Sequence, residues 1–274
     1  MNNHPLNTDF QWRPGPTVPG FLRPDQIADF DRDGFCLVED AFDADTIAEL
    51  AAAIDPWESA TTEFLQTQPD GALFIAQADS ITFTVHLVAR DETCRNFTRH
   101  PSLLGIAGDL IGPDVRMYWD QAVYKKPERE REFPWHQDNG YAFVEPQQYL
   151  TCWIPLTDAT IENGCPWIAP GIHRRGTLEH SAGKYGLTCF DSIPSSEREA
   201  VPVEARAGSA VVFSSLTPHR TGPNLSDPTL PDSVRKAYIV QYAPSGAAVV
   251  RGADLEVADA PDRQYEVLRA GVAA

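Results

Sequence analysis

The spacing of apolar residues predicts a mixed, mostly helical first third of the chain. Apolar positions that recur every three to four residues indicate helices, and short β-branched runs indicate strands. The predicted elements are, in chain order, a helix over 24–33, a strand over 35–38, a helix capped by Asp43, a strand over 80–90 and a helix over 101–110. The helix after Asp43 carries one apolar stripe, formed by Ile47, Leu50, Ala51 and Ile54. We expect this face to pack on the core.

From Val115 onward the pattern changes to short β-rich runs separated by proline, glycine, asparagine and aspartate. These runs lie at 115–124, 150–156, 166–169, 201–204, 210–215 and 237–243. Short strands with turn residues between them are typical of a sandwich or barrel. We therefore expect a mainly β fold with flanking helices. A jelly roll would suit a buried site, because its two sheets enclose a cavity.

The chain is expected to form one domain preceded by an arm. Its 274 residues, 42% of them hydrophobic, are enough to bury a substantial core. The N-terminal segment is rich in asparagine and proline and lacks an apolar period, which predicts an arm laid over the surface or partly disordered. The expected boundaries are 1–22 for the arm and 23–274 for the domain. Residues 125–134 and 223–235 are the predicted mobile loops beside the pocket, and a lid role for either stays open.

Charge and cysteine content exclude several classes of function. The formal net charge of −17 argues against nucleic acid or an anionic membrane as the main partner, because both reward clustered lysine and arginine. The five cysteines are scattered without CxxC spacing, which favours neither a disulfide framework nor a zinc ribbon. The chain shows no basic-then-apolar signal region and no run of about 18 apolar residues. We therefore expect a cytoplasmic protein.

His136 and Asp138 are the first candidates for chemistry. In an extended segment, residues i and i+2 project to the same side, so both can bind one ion while Gln137 points away. His219 follows the strand predicted over 210–215 and can supply a third ligand. Two imidazoles and one carboxylate on one face of a metal are the ligand set of non-haem Fe(II) oxygenases. Taken alone, an HxD sequence is a weak signal, and a histidine in a surface loop is the simpler interpretation of His136.

Several blocks, in this order and spacing, resemble the phytanoyl-CoA dioxygenase family of Fe(II)/2-oxoglutarate-dependent oxygenases. The blocks are Trp135-His136-Gln137-Asp138, Leu150-Thr151-Cys152-Trp153-Ile154-Pro155-Leu156, Asn163-Gly164-Cys165 with Pro170-Gly171-Ile172-His173, and His219-Arg220-Thr221-Gly222-Pro223-Asn224 with Arg235-Lys236-Ala237. The resemblance covers nearly the whole chain. It implies a double-stranded β-helix core of the jelly-roll, cupin-like type.

The resemblance also implies a set of ligands and a cosubstrate site. His136, Asp138 and His219 are expected to bind Fe(II). Arg235 is expected to pair with the distal carboxylate of 2-oxoglutarate, since a planar, permanently charged guanidinium matches a carboxylate. Thr221 is expected to donate its hydroxyl to the same carboxylate.

The resemblance implies roles for two further positions. Trp153 matches a position that lines the cosubstrate pocket, and Gln121 matches a polar residue that points into the active site. The stretch between His219 and Arg235 is longer than is usual in the family, so Arg220 is an alternative cation. We favour Arg235, because the side chain of Arg220 would leave its strand opposite to His219.

The implied activity is hydroxylation of a small natural-product or lipid-like molecule, with O₂ consumed and with release of succinate and CO₂. Asp138 favours oxygen transfer, since related iron halogenases replace that carboxylate with a small residue. The alternatives are epimerisation, desaturation or cyclisation at the same iron site, a non-redox cupin-like metal-binding protein, and a zinc hydrolase. The expected partner is a small-molecule substrate, with no nucleic acid or membrane, and the expected state is a monomer or homodimer.

Other candidates have simpler structural interpretations. We expect His173 to be a structural turn residue, and Trp135 and Tyr141 to fill the core beside the HxD sequence. The pocket walls are expected to come from four loops, at 57–80, 125–134, 173–195 and 223–235.

Overall fold

The computed structural model describes residues 1–15, 20–128, 131–230 and 232–274. Its helices are α1 (Pro24–Asp33), α2 (Ala44–Gln66), α3 (Glu92–Phe97) and α4 (Pro101–Leu110). Its strands are β1 (Phe35–Val38), β2 (Ala72–Leu73), β3 (Ala76–Gln77), β4 (Ile81–Val85), β5 (Val115–Lys125), β6 (Phe133–His136), β7 (Val144–Glu145), β8 (Leu150–Pro155), β9 (Pro166–Ile168), β10 (Ser181–Gly183), β11 (Gly186–Thr188), β12 (Val201–Pro202), β13 (Ala210–Ser214), β14 (His219–Thr221), β15 (Arg235–Pro244), β16 (Ala248–Arg251), β17 (Asp254–Val257), β18 (Glu266–Arg269) and β19 (Val272–Ala273). The helices predicted over 24–33 and 101–110 are confirmed.

Helix α2 is longer than its apolar stripe indicates. It begins where Asp43 accepts a hydrogen bond from Thr46 N at 2.8 Å, as an N-cap does, and continues past Pro56. Its second half packs on β4 partly through polar pairs. Thr82 Oγ1 donates to Glu58 at 2.9 Å, and the hydroxyls of Thr84 and Thr61 lie 3.1 Å apart. Because these contacts are polar, apolar spacing alone does not reveal them.

Two sheets form the predicted jelly roll. In the larger sheet the strand order is β1-β13-β8-β15-β5-β4-β3-β2, with β18 beside β5, and in the smaller it is β12-β9-β14-β6. Strand β8 shows how the sequence builds both sides of the larger sheet. Cys152 and Ile154 pack with the helices on the outer face, whereas Trp153 packs with Val211 and Phe213 between the sheets. Alternation along one strand therefore separates the main core from the site.

The strands predicted from the middle of the chain are confirmed, but the short strands β6, β7, β10, β11 and β14 and all strands after β15 were missed. Strand β17 is exposed along its whole length, so it lacks the apolar alternation by which a strand is recognised. Pairing of its backbone with β16 holds it in place. Arg129, Glu130 and Pro231, in the predicted mobile loops, lie outside the described residues.

The start of the chain lies against the segment that follows residue 172. Asn3 pairs with Leu178 in an isolated bridge, and the side-chain amide of Asn7 donates to the carbonyls of Arg175 and Thr177 at 2.8 and 2.9 Å. Residues 16–19 of the predicted arm lie outside the described residues. Within the described ranges, no helix combines the length and apolar character that a membrane span requires.

Candidate active site

Three side chains that could hold a metal ion meet between the small-sheet strands β6 and β14. His136 closes β6 and His219 opens β14, and antiparallel pairing places the two residues directly opposite each other. Asp138 follows after one extended residue. Its Oδ1 atom lies 3.8 Å from Nε2 of each histidine, and one ligand atom from each residue lies within 4.8 Å of the others. Gln137 points away and donates to backbone carbonyls on the opposite side.

Backbone carbonyls fix the orientation of both imidazoles. Nδ1 of His136 lies 2.9 Å from the Pro134 carbonyl, and Nδ1 of His219 lies 3.0 Å from the Thr217 carbonyl. Because a carbonyl can only accept, each Nδ1 carries the proton and each Nε2 keeps its lone pair for a metal. Burial, reinforced by the neighbouring His219, lowers the pKa of His136 well below its usual value. His136 is therefore neutral at physiological pH, the form that binds metals.

The carboxylate of Asp138 is held by residues of the larger sheet. Thr151 Oγ1 donates to Asp138 Oδ2 at 2.5 Å, and Gln241 Nε2 donates to Thr151 Oγ1 at 3.1 Å. One carboxylate oxygen is thus occupied, which leaves Oδ1 to face the histidines. In the sequence, Thr151 stands out only as part of a block that resembles the family. Its position two residues before Trp153, on the same face of β8, is the signal that could have identified it.

Arg235 is a buried cation with unfilled donors in the same cavity. It opens β15 with 1% of its surface exposed, and its guanidinium lies 5.3 Å from the ring centroid of Trp153. Nη1 makes one long hydrogen bond of 3.5 Å to the Val123 carbonyl, whereas Nε and Nη2 have no partner among the described residues. Burial lowers the pKa of Arg235 to about 10, so the guanidinium is still charged at neutral pH.

Arg220 and Lys236, the basic residues that follow His219 and Arg235 in the sequence, point away from the cavity. Arg220 stacks between Trp135 and Trp167 and pairs with Glu132 at 2.6 Å. Lys236 pairs with Asp55 at 2.8 Å. Neither lines the cavity, which is the outcome expected from alternation along β14 and β15.

The cavity has a volume of about 800 Å³ and a mostly apolar wall. The predicted site residues all line it, namely Gln121, His136, Asp138, Trp153, His219, Thr221 and Arg235. Much of the remaining wall comes from α2, the segment from β2 to β3, and β4, with Trp57, Ala60, Phe64, Phe74, Ile75, Ile81, Phe83 and Val85 among its members. Phe74 at the outer end is 97% exposed. The result is a polar floor beneath a deep aromatic and aliphatic wall.

The structure corrects several expectations about this pocket. Among the described residues, the segments 173–195 and 223–234 contribute nothing to the wall, and 125–134 contributes only Phe133. The wall from 57–80 is largely helix, because α2 extends to Gln66. Tyr141 was expected in the core, yet it lines the cavity with its ring 5.4 Å from that of His136. Trp135 does pack in a core cluster.

His173 lies apart from the metal-binding cluster of His136, Asp138 and His219, as expected. It is fully buried in a single turn of 3-10 helix, Ile172–Arg175, and packs edge-on against Trp12 at 4.4 Å. The backbone of Gly34 also passes close to this ring, and a Cβ at that position would lie 2.5 Å from His173 Nδ1. Burial lowers the pKa of His173 to about 4, which keeps the ring neutral inside the fold.

Comparison with known proteins agrees with this geometry. The model of the phytanoyl-CoA dioxygenase (PhyH) family matches residues 30–229. Phytanoyl-CoA dioxygenase domain-containing protein 1 of Mus musculus is 28% identical over 273 residues, covering 83% of this chain and 92% of the mouse protein. Ectoine dioxygenase of Bordetella parapertussis is 27% identical, covering 75% of this chain and 71% of that enzyme.

Solved structures show the same fold at lower identity. The non-haem alpha-ketoglutarate-dependent carbocyclase SnoK from nogalamycin biosynthesis superposes with a TM-score of 0.67 at 22% identity, covering 86% of this chain and 91% of SnoK. The epimerase SnoN, in complex with Fe³⁺, alpha-ketoglutarate and a nogalamycin compound, gives a TM-score of 0.65 at 20% identity, covering 84% and 86%. These neighbours confirm the double-stranded β-helix fold. Together with the family match, they show that the chain belongs to the phytanoyl-CoA dioxygenase family of Fe(II)/2-oxoglutarate-dependent oxygenases.

Proposed function

We propose that His136, Asp138 and His219 bind Fe(II) and that Arg235, assisted by Thr221, binds the distal carboxylate of 2-oxoglutarate. The observation that carries this proposal is the buried guanidinium, which has no carboxylate partner among the described residues and shares one cavity with the metal-binding cluster. An uncompensated buried charge is strongly destabilising. A dicarboxylate cosubstrate would supply the missing anion.

The fit of the donor set supports iron as the metal. Two neutral imidazoles and one carboxylate, with positions left open, suit Fe(II). When bound, Fe(II), O₂ and 2-oxoglutarate supply the oxidant for cleavage of a substrate C–H bond, and 2-oxoglutarate leaves as succinate and CO₂. The chain's own task is to hold the ligands in one orientation and to exclude water. Trp153 and Gln121 line the same cavity.

The wall of the cavity points to a mostly apolar substrate, of natural-product or lipid-like character, that is hydroxylated. Aromatic and aliphatic side chains of α2 and β4 dominate it, and Arg90, stacked 5.9 Å from Trp57, is the cation at its outer part. A phosphate-bearing carrier would favour a basic patch. The chain instead carries a net charge of −17, which favours the free molecule over a CoA thioester.

The cosubstrate assignment is tested by succinate formation from 2-oxoglutarate. We expect turnover only with both Fe(II) and O₂ present. Arg235→Ala is expected to weaken 2-oxoglutarate binding by about a hundredfold, since a buried charge-assisted bidentate contact is lost. Arg220→Ala is the matched control, because Arg220 does not reach the cavity. The assignment is wrong if both variants bind 2-oxoglutarate like the parent.

The metal assignment is tested by anaerobic Fe(II) titration. His136→Ala and His219→Ala are each expected to lose tight Fe(II) binding, whereas His4→Ala, on the N-terminal segment, should retain it. Undiminished Fe(II) binding by either ligand variant would refute the proposed triad.

Product mass then identifies the reaction. Gain of one oxygen indicates hydroxylation, loss of two hydrogens indicates desaturation or cyclisation, and unchanged mass indicates epimerisation. Absence of any succinate would instead favour the non-redox metal-binding alternative or a hydrolase, neither of which needs a cation shaped for a dicarboxylate.

A further inference from the structure

A second buried cation, Lys125, lies directly across from Arg235. The register of β5 and β15 pairs the two residues, and Lys125 has 1% of its surface exposed. Its ammonium donates to the Gly222 carbonyl and lies 3.4 Å from the hydroxyl oxygen of Thr221. Thr221 lines the cavity and Lys125 does not. Lys125 therefore lies behind Thr221, on the side away from the cavity.

The stem and the ammonium of Lys125 have separate surroundings. The stem packs beside Gly164, where an added Cβ would come within 3.3 Å of Lys125 Cδ and 2.7 Å of the Gly222 carbonyl. Gly164 has φ +87°, a conformation that favours glycine. The turn therefore fits closely around the stem, and a variant that keeps the stem can test the charge by itself.

Lys125 and Arg235 place two basic groups side by side in a buried region. Among the described residues, neither forms an ion pair with a carboxylate. Burial, followed by the charges of Arg235 and Arg131, lowers the pKa of Lys125 to about 7, while Glu128 and Glu132 act in the opposite direction. Such an arrangement is unfavourable in the free protein and becomes favourable when an anion binds next to it.

Building on the function proposed above, we propose that Lys125 is a positioning residue for the distal carboxylate of the cosubstrate. Its ammonium occupies a lone pair of the Thr221 hydroxyl, so that the hydroxyl proton is directed into the cavity. It also adds a second positive charge behind Arg235. The chain thereby selects a keto acid with a second carboxylate over one without it.

The test compares two keto acids in the Fe(II)-loaded protein under anaerobic conditions. One is 2-oxoglutarate, and the other is 2-oxopentanoate, in which a methyl group replaces the distal carboxylate. Lys125→Met keeps the length of the stem and removes the charge. We expect it to weaken 2-oxoglutarate binding by about tenfold and to change 2-oxopentanoate binding less than about twofold. In a separate assay of succinate formation with O₂ present, it should raise KM for 2-oxoglutarate more than it lowers kcat.

Thr221→Val gives an independent measurement that leaves the Lys125 stem in place. It should weaken binding of 2-oxoglutarate and spare that of 2-oxopentanoate. In the double variant, the loss of 2-oxoglutarate binding free energy should be smaller than the sum of the losses in the two single variants, because Lys125 acts partly through the Thr221 hydroxyl.

The proposal is overturned if Lys125→Met weakens the binding of both keto acids equally, which indicates a structural role. It is also overturned if the substitution weakens the binding of neither. Failure of the proposed function gives a different result. In that case the parent itself shows no preference for 2-oxoglutarate over 2-oxopentanoate.

Discussion

Asp138 is oriented by a hydroxyl that does not belong to the ligand set. Thr151 occupies Oδ2 of the carboxylate, so only Oδ1 faces the histidines. Thr151→Val removes this donor at nearly constant volume and leaves Gln241 without its acceptor. We expect Fe(II) affinity to fall roughly 10- to 100-fold, the usual effect of losing a hydrogen bond to a metal ligand. Anaerobic Fe(II) titration measures it.

Thr151→Ser is the matched control, because it retains the hydroxyl. If the serine and valine variants lose the same affinity, packing of the threonine methyl group is responsible, and the hydrogen bond is not.

At the residue scale, the sequence predicts the candidate metal ligands but not the residues that contact and orient the side chains of the site. His136, Asp138 and His219 follow from ligand type, alternation and order of the blocks. The roles of Thr151 and Lys125 depend on which strands pair. Thr151 reaches Asp138 from the other sheet, and Lys125 meets Arg235 only through the β5–β15 register. No local pattern records such a pairing.

At the scale of elements, helix α2 forms part of the wall of the cavity that holds His136, Asp138 and His219. Ala60 lines the cavity from this helix, so Ala60→Trp should fill part of the space. A neutral aromatic dye, N-phenyl-1-naphthylamine, serves as a probe of the apolar wall. We expect its affinity to fall by about tenfold or more, because a bulky ring occupies the pocket, while 2-oxoglutarate binding at the floor is retained.

Ala52→Trp is the control on the same helix, since Ala52 is exposed and lies outside the cavity wall. Equal dye binding by all three proteins would mean that α2 does not bound the ligand space.

Strand β5 also carries a buried carboxylate on its outer face, Asp120. Its Oδ2 accepts from Tyr238 Oη at 3.0 Å and from Val88 N at 3.2 Å, while Oδ1 has no partner among the described residues. Burial raises the pKa of Asp120 to about 6 from the usual 3.8, against the opposing effect of these hydrogen bonds. The folded protein therefore binds the proton more tightly than the unfolded chain does.

The sign of the pH dependence follows. The stabilisation from Asp120 is fully present below about pH 4 and is lost as the pH rises through about 6, an effect of roughly 3 kcal/mol at 1.36 kcal/mol per pKa unit. Asp120→Asn cannot ionise. Its free energy of unfolding, relative to the parent, should therefore rise by roughly this amount between about pH 4 and pH 7.5. Denaturant titrations at several pH values measure it, and parallel curves for the two proteins would contradict the assignment.

The elements themselves were predictable in proportion to their burial. Strand β8 is buried throughout and was recognised from its apolar run. The second half of α2 was not recognised, because polar pairs hold it against β4. The exposed strand β17 was not recognised either, because only pairing of its backbone with β16 holds it in place. The α2 wall was consequently assigned to a loop, whereas the predicted site residues do line one cavity.

At the scale of the whole molecule, the charge of the chain opposes the charge of the cosubstrate. A net charge of −17 repels a dianion at long range, whereas Arg235 and Lys125 attract it only inside the fold, where solvent does not screen them. Long-range fields mainly change association rates, and buried contacts mainly change dissociation rates. The two effects can therefore be separated by ionic strength.

We expect the association rate constant for 2-oxoglutarate to rise roughly two- to tenfold between about 10 and 200 mM salt, because screening removes the repulsion. The dissociation rate constant should change little, since the contacts with Arg235 are buried. Anaerobic stopped-flow mixing with the Fe(II)-loaded protein measures both constants. 2-Oxopentanoate, with one negative charge fewer, should show about half the dependence on a logarithmic scale. An association rate that falls with salt would show that the cations at the floor govern the approach, and that the acidic surface does not.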